Sequence, residues 1–204
     1  MKSSETKKCS KPYRVVIAVC DELFGGAILD FVGKHSWPLK TEFHLVYVIE
    51  PNPLKNSLII PLEVVREIGK DERTSAQQVL NFMARSLYKA LPGVRVKRHV
   101  RLGFPKHELI DVCGTVGANL IVLGSHTRKG LDRIILGSVA NAVVSNATCS
   151  SIVVRLSDEQ LSKEAPFDFT LDDLPSQMKN DLEIVVPGSA HRVPAAPGSM
   201  KKEH

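Results

Sequence analysis

The residues best suited to chemistry lie in one glycine-rich stretch, which begins at Gly124 and ends at Val139. It follows a short apolar run that predicts a buried strand, and it contains two adjacent cations, Arg128 and Lys129. Ser138 stands at the predicted start of a helix. Unpaired N–H groups at a helix N-terminus favour phosphate, and a serine hydroxyl adds a donor. The stretch therefore predicts a phosphate site, with cations matched to a triphosphate.

Other nucleotide-binding and catalytic motifs are absent from the sequence. It has no GxxxxGK[ST] loop, no GxGxxG after the first predicted strand and no protein-kinase signature set. No GxSxG motif frames a serine nucleophile. Asp132 is the only acid within the stretch, so neither a general base nor carboxylate ligands for a metal stand out there. The sequence favours binding over catalysis, with a slow ATPase or phosphotransferase as the enzymatic alternative.

The charge of the chain is unevenly distributed. The formal net charge is +5, but residues 157–204 hold five basic and nine acidic residues, which leaves +9 for residues 1–156. A basic body can attract anionic ligands, nucleic acid or its own acidic tail. Nucleic acid is disfavoured, because no aromatic residues are interleaved with the basic ones to stack on bases.

Composition and length predict one cytoplasmic domain without metal ligands. No apolar run approaches the roughly 18 residues of a membrane span, and the charged N-terminus carries no secretory h-region. The four cysteines, Cys9, Cys20, Cys113 and Cys149, form no CxxC pair and have no zinc spacing. They are interpreted as reduced thiols, three of them buried, with redox sensing by Cys9 as the alternative.

Apolar runs and helical patterns alternate along the chain and predict the elements that position these residues. Strands are predicted at residues 13–20, 43–49, 94–102, 120–123 and 151–155, and helices at 28–35, 62–91, after Pro105 and around 139–144. Gly25 and Gly26 predict a tight turn or a close backbone approach. The βαβαβαβαβ order predicts a doubly wound parallel α/β sheet with helices on both faces. Ligands bind such sheets beyond the carboxyl ends of the strands, here after Cys20, Val48 or Leu123.

The chain divides into three predicted segments. Residues 1–11 form a flexible arm, residues 12–156 form the α/β domain, and residues 157–204 form an acidic, proline-containing, largely disordered tail. Apolar patches in the tail are predicted to dock, and they comprise Phe167, Phe169, Leu171, Leu174 and 184–186. One hypothesis places the acidic tail across Arg128 and Lys129, where it would compete with nucleotide.

Residues 13–156 resemble the universal stress protein (UspA-type) family. The resemblance rests on IAVC, LVYVIEP, VRLGFPKHELI, ANLIVLGSHTRKGLDRIILGSVANAVV and SIVVRL. It implies a five-stranded, Rossmann-like fold of the adenine nucleotide alpha hydrolase type. It also implies a stress-response sensor or regulator that binds ATP, with or without Mg²⁺. The resemblance further implies a homodimer formed through the last strand, here Ile152 to Arg155. It also implies regulation of another protein, whose identity is unknown.

The phosphate end of the implied site carries a substituted motif. The ATP-binding branch of the family has G-x2-G-x9-G-[ST], and Gly124, Gly137 and Ser138 match three of its four defining positions. Thr127 replaces the second glycine, and a β-branched residue tolerates positive φ poorly. Thr127 therefore implies either a reshaped loop or an added hydroxyl contact to phosphate. His126 is interpreted as a hydrogen-bonded loop anchor.

The adenine end of the implied site also departs from the family pattern. Cys20 stands where the family carries an aspartate, and Asp21 follows it. Either the strand end shifts by one residue or the contact with the base weakens. The implied ATP-binding residues are Val19, Cys20, Asp21, Val48, Leu123, Gly124, His126, Thr127, Arg128, Gly137, Ser138 and Val139. A UspA-like scaffold that binds no nucleotide is the alternative.

Overall fold

The computed structural model of the protein describes residues 11–20, 22–50, 62–125, 136–155, 181–185 and 193–194. Within them, one sheet contains β1 (Arg14–Val19), β2 (Glu42–Ile49), β3 (Arg95–Leu102), β4 (Leu120–Gly124), β5 (Ser150–Val154), β6 (Leu182–Val185) and β7 (Val193–Pro194). The helices of the same residues are α1 (Glu22–Lys34), α2 (Leu62–Ala90), α3 (Pro105–Val116) and α4 (Ser138–Asn146). No helix among these is long and apolar enough to cross a membrane.

The strands lie in the order β5-β4-β1-β2-β3-β6-β7. Every pairing from β5 through β3 is parallel, as crossover connections through helices require. Helices α1 and α2 pack on one face of the sheet and α3 and α4 on the other. The predicted doubly wound, five-stranded parallel sheet with helices on both faces is therefore confirmed, and β6 and β7 extend it at the β3 edge.

Successive side chains of β1 alternate between two apolar cores. Val15 and Ile17 pack in the core beneath α1 and α2, whereas Val16 and Ala18 pack in the core beneath α3 and α4. None of the four is more than 8% exposed. Because helices cover both faces, the strand reads as an unbroken apolar run, which is why its position could be predicted from the sequence.

The glycine pair after β1 lies inside α1 and not in a turn. A Cβ atom added to Gly25 would stand 3.1 Å from the sulfur of Met83 in α2. Gly25 therefore allows the close approach of two helices, and the alternative prediction of a tight turn is wrong. Helix α1 begins at Glu22, six residues before the predicted Ile28. A glycine inside a helix costs up to about 1 kcal/mol relative to alanine, and packing of α1 against α2 offsets this cost.

Strands β6 and β7 come from the tail that the sequence predicts to be largely disordered. Ile184, one of its predicted docking residues, lies in β6 opposite Val100 of β3. This contact is at the β3 edge of the sheet. Val185 lies in β6 opposite Arg101. The other predicted docking residues lie outside the described residues, as do Arg128 and Lys129, so the predicted competition between the tail and nucleotide stays a hypothesis.

The three described cysteines are reduced and differ in exposure. Cys113 is buried, Cys149 is half-buried and Cys20 is exposed. The expectation of three buried thiols is therefore wrong, since only Cys113 of the described cysteines is buried. Cys20 is exposed because β1 ends at Val19 and the next residue projects beyond the sheet. Burial, followed by the effect of the nearby Cys149 thiol, raises the pKa of Cys113 to about 12. Cys9 lies outside the described residues.

Candidate functional site

The strand order of the sheet reverses between β1 and β4. These neighbours are parallel and in register, with Val15 opposite Leu120 and Ile17 opposite Val122. The chain proceeds from β1 toward β2 on one side and from β4 toward β5 on the other. Connections that leave in opposite directions open a crevice beyond the carboxyl ends of the two strands. Residues after β1 and β4 therefore face the candidate site.

A hydrogen bond joins the two described ends of the glycine-rich stretch. Gly124 ends β4, and the next residue, Ser125, donates its N–H to the carbonyl of Val154 (2.9 Å). The Ser125 carbonyl accepts the N–H of Gly137 (3.1 Å). The N-terminus of α4 is thus held beside the end of β4, and the predicted residues Gly124 and Gly137 are brought together.

The first turn of α4 has the features of an anion-binding helix end. Gly137 is the N-cap residue, and its carbonyl accepts the Asn141 N–H at 2.8 Å. No side chain caps the helix, and its first turn contains no acidic residue. Ser138 is exposed at the first helical position. The N–H groups of the first turn have no intrahelical acceptor, so a phosphate oxygen could accept them.

Three predicted apolar residues meet in the core beneath α3 and α4. Leu123 is 2% exposed, and Val48 and Val139 are half-buried against the same cluster. Val19 packs on the opposite face, in the core beneath α1 and α2. Val19 can therefore offer only its backbone to a ligand on the α4 side. The structure thus unites Val48, Leu123 and Val139 but separates the Val19 side chain from them.

Cys20 is the described residue that follows β1, and it is exposed at the carboxyl edge of the sheet. The remaining predicted site residues are Asp21, His126, Thr127 and Arg128, which lie outside the described residues. Within the described part of the chain, no group of three or more histidine, cysteine or acidic side chains is arranged to hold a metal ion.

The turn after β3 borders the same edge of the sheet. Gly103 donates its N–H to the carbonyl of Ile49 (3.0 Å), which ties the ends of β3 and β2 together. A Cβ atom on Gly103 would stand 2.6 Å from Oε1 of Glu108, whose Oε2 accepts the Nε–H of Arg101 (3.0 Å). Phe104, which follows, is 62% exposed. Close packing against the Glu108 side chain therefore favours glycine at position 103.

A buried polar cluster on β2 and β3 was missed by the sequence analysis. This histidine cluster comprises Arg14, Glu42, His44, Lys97 and His99. Its signal was present on β2, because Glu42 and His44 are the polar exceptions in a strand that is otherwise largely apolar. Glu42, His44 and His99 are at most 5% exposed. Arg14 and Glu42 begin β1 and β2, so the cluster lies toward the edge opposite the crevice.

Two imidazoles and one carboxylate form the centre of the histidine cluster. Nδ1 of His44 lies 3.0 Å from Nε2 of His99, and the rings stack with centroids 5.2 Å apart. Burial, followed by the charge of His99, lowers the pKa of His44 to about 4. Burial would raise the pKa of Glu42, but Lys97, His44 and Arg14 together hold it below its ordinary value. The cluster therefore combines a neutral His44 with an ionised Glu42 at neutral pH.

Comparisons with known proteins identify relatives in sequence and in fold. The chain is 31% identical over 130 residues to Universal stress protein MJ0531 of Methanocaldococcus jannaschii. The aligned region covers 60% of this chain and 72% of that relative. The fold resembles the structure of MJ0577, with a TM-score of 0.58 and 23% identity over 70% of this chain and 96% of that one. It also resembles an Arabidopsis thaliana universal stress protein family protein with AMP bound (TM-score 0.53, 16% identity, 77% of this chain and 100% of that one).

The family assignment rests on a match that extends over more than half of the chain. The model of the universal stress protein family matches residues 27–155, which include β2, the stretch from Gly124 to Val139, and β5. The two solved structures, each below 25% identity, support the fold. The chain belongs to the universal stress protein family.

Proposed function

We propose that this protein binds an adenine nucleotide, with ATP as its main ligand, in the crevice beyond the carboxyl ends of β1 and β4. The observation that carries the proposal is the hydrogen bond from Gly137 to Ser125 (3.1 Å), which holds the N-terminus of α4 beside the end of β4. Family membership and the AMP bound by the Arabidopsis protein support an adenine nucleotide as the ligand.

The phosphate end of the proposed site is at α4. The N–H groups of its first turn and the exposed Ser138 hydroxyl donate to phosphate oxygens. Thr127 and Arg128 belong to the proposed site on the strength of the motif, and Arg128 supplies positive charge to the triphosphate. Mg²⁺, where present, enters with the nucleotide.

The base end of the proposed site is at β1 and β2. Adenine lies beside the backbone of Val48, and Cys20 and Asp21 border it at the end of β1. Leu123 and Val139 supply apolar surface, because both pack in the core beneath α3 and α4. The residues reach the base mainly through backbone groups and apolar contact, so the site distinguishes adenine from other bases by few side-chain hydrogen bonds.

ATP acts in this proposal as a signal and not as a substrate. Its binding favours one state of a homodimer or of a surface for a protein partner, as a sensor or regulator of the stress response requires. The dimer forms through β5, which is an edge strand of the described sheet. No residue is assigned a catalytic role, and ATP recovered from the complex is expected to be unhydrolysed.

The alternative is a scaffold that binds no nucleotide. Two observations favour it: Cys20 occupies the place of the family's aspartate, and Thr127 replaces a motif glycine. The scaffold predicts the same fold and the same dimer but no response of the crevice to ATP. The two proposals therefore predict different results for a measurement of nucleotide binding in the crevice.

The exposed Cys20 thiol reports on the crevice directly. We expect saturating ATP to slow alkylation of Cys20 by iodoacetamide about tenfold or more, because bound nucleotide shields the end of β1. Peptide mass spectrometry resolves the thiols after timed labelling. Cys113 is expected to stay unreacted, since it is buried and its pKa is raised to about 12. Cys9, in the predicted arm, serves as a reference, because its rate of alkylation is expected to be the same with and without ATP. An ATP-independent Cys20 rate would favour the scaffold.

A further inference from the structure

The β3 edge of the parallel sheet is covered by a strand from the tail. β3 is eight residues long, and a long exposed edge of this kind is a template for pairing with other chains. In the structure β6 pairs with it in parallel, with Arg98 opposite Leu182 and Arg101 opposite Val185. The Arg98 N–H donates to the carbonyl of Asp181 at 2.8 Å. The tail thus takes up backbone groups that β3 would otherwise expose.

Arg98 connects the tail to the interior of the domain. It is 4% exposed, and its guanidinium donates to Oδ1 of Asn81 in α2. Burial lowers the pKa of Arg98, and the charge of Asp181 opposes that effect, followed by Tyr88. A buried guanidinium is costly unless an opposite charge compensates it. Asp181 therefore supplies to Arg98 a counter-charge that belongs to the tail.

β7 closes the outer side of β6. It is a two-residue strand, Val193–Pro194, and it pairs antiparallel with β6, with Pro194 opposite Glu183. Very short edge strands and proline are devices that prevent further strand addition, because proline has no N–H to donate. The sheet consequently ends at β7 with an edge that is poorly suited to pairing.

The length of the connection does not by itself force the tail onto this edge. β5 and β6 are five strand spacings apart, about 24 Å. The 26 residues from 155 to 180 could span roughly 85 Å when extended. Specific contacts, namely the β-ladder and the hydrogen bond from the Arg98 N–H to the Asp181 carbonyl, are therefore needed to select the β3 edge.

We propose that Asp181–Val185 and Val193–Pro194 form an edge cap, which prevents second copies of this chain from pairing along β3. The cap leaves β5 as the open edge of the described sheet, and it restricts assembly to contacts made there. The occupant of the β3 edge is the chain's own tail, recognised by its backbone and by one carboxylate. Loss of the cap would give the domain two open edges, and head-to-tail pairing through them would build rings or open filaments larger than a dimer.

The test uses the full chain with a proline in the cap. Because Arg98 lies opposite Leu182 and donates to Asp181, the parallel ladder directs the Glu183 N–H toward β3. Glu183→Pro removes that donor, and Glu183→Ala is the matched control that keeps it. Hydrogen exchange at the Arg98 and Val100 amides measures release of the cap, and sedimentation velocity measures assembly.

We expect Glu183→Pro to speed exchange of both amides about tenfold or more, and to form species larger than the wild type whose share grows with concentration. Glu183→Ala should resemble the wild type in both measurements. A synthetic peptide of residues 179–187 should return Glu183→Pro to the wild-type mass by refilling the edge. ATP binding should not change, because the β1 and β4 ends are remote from β6.

Two outcomes would overturn the edge cap. In one, the amides exchange faster but the mass distribution stays that of the wild type. In the other, the amides remain protected in Glu183→Pro, which means that β6 does not cover β3. If Glu183→Pro fails to fold, Asp181→Asn removes only the counter-charge of Arg98. It should then give a smaller increase in exchange and in assembly, and no increase in either would contradict the proposal.

Discussion

Replacing Ser138 with tyrosine is expected to weaken ATP binding at least about tenfold, equivalent to about 1.4 kcal/mol or more. Ser138 is exposed at the first position of α4, next to the N-cap Gly137. A tyrosine ring at this position would occupy the space in which phosphate approaches the N–H groups of the first turn. Isothermal titration calorimetry on wild type and variant measures the difference.

The same helix offers a matched control at its other end. Ser145 is exposed in the last turn of α4, so Ser145→Tyr makes an identical chemical change away from the phosphate site. It should leave the affinity for ATP unchanged, and thermal unfolding should show both variants to be folded. Equal losses in the two variants, or no loss in Ser138→Tyr, would contradict a phosphate site at the N-terminus of α4.

Lowering the pH from 7 to 5 is expected to reduce the free energy of unfolding by roughly 2 kcal/mol through His44 alone. Its folded-state pKa is depressed to about 4 from an ordinary value of 6.5. Between these values the unfolded chain binds a proton that the folded chain does not. The contribution of His44 to the free energy of unfolding is therefore present above pH 6.5 and is lost as the pH falls toward 4. Chemical denaturation at several pH values measures the loss.

The surroundings of His44 determine how that prediction is tested. His99, Glu42 and Lys97 act on it directly, and Arg14 pairs with Glu42. The lowered pKa of Glu42 adds a further loss at more acidic pH, so the comparison is confined to pH 7 to 5. His44→Gln should reduce the pH dependence by most of the stated amount. His107→Gln, at an exposed site on α3, should leave it unchanged. An unaltered slope in His44→Gln would contradict the account of the histidine cluster.

The parallel sheet could be predicted because its strands are covered on both faces. Buried runs such as Val15–Val19 and Leu120–Leu123 contain almost no polar residue, and helical patterns between the strands impose parallel pairing. Gly25 was harder to interpret, since its close contact with Met83 depends on a helix more than 50 residues later in the sequence. The histidine cluster was missed for a similar reason, because its polar residues compensate one another across three strands.

The candidate site could be predicted in part. The motif located Gly124, Gly137 and Ser138, and the hydrogen bond from Gly137 to Ser125 shows how the first two are held close together. Periodicity alone did not assign Val19 and Val48 to opposite faces of the sheet, because strands buried on both sides lack polar alternation. β6 could not be predicted from local pattern either, since a short apolar segment becomes a strand only when an edge such as β3 is available to pair with it.

Calorimetric titration of the 204-residue chain with ATP, ADP and AMP tests the proposed function most directly. The account predicts saturable binding of ATP with a micromolar Kd and one nucleotide per chain. It also predicts that mass spectrometry of the recovered ligand finds ATP intact. No heat with any of the three nucleotides, together with no adenine nucleotide released from the purified protein, would contradict the account and leave the scaffold as the function of this fold.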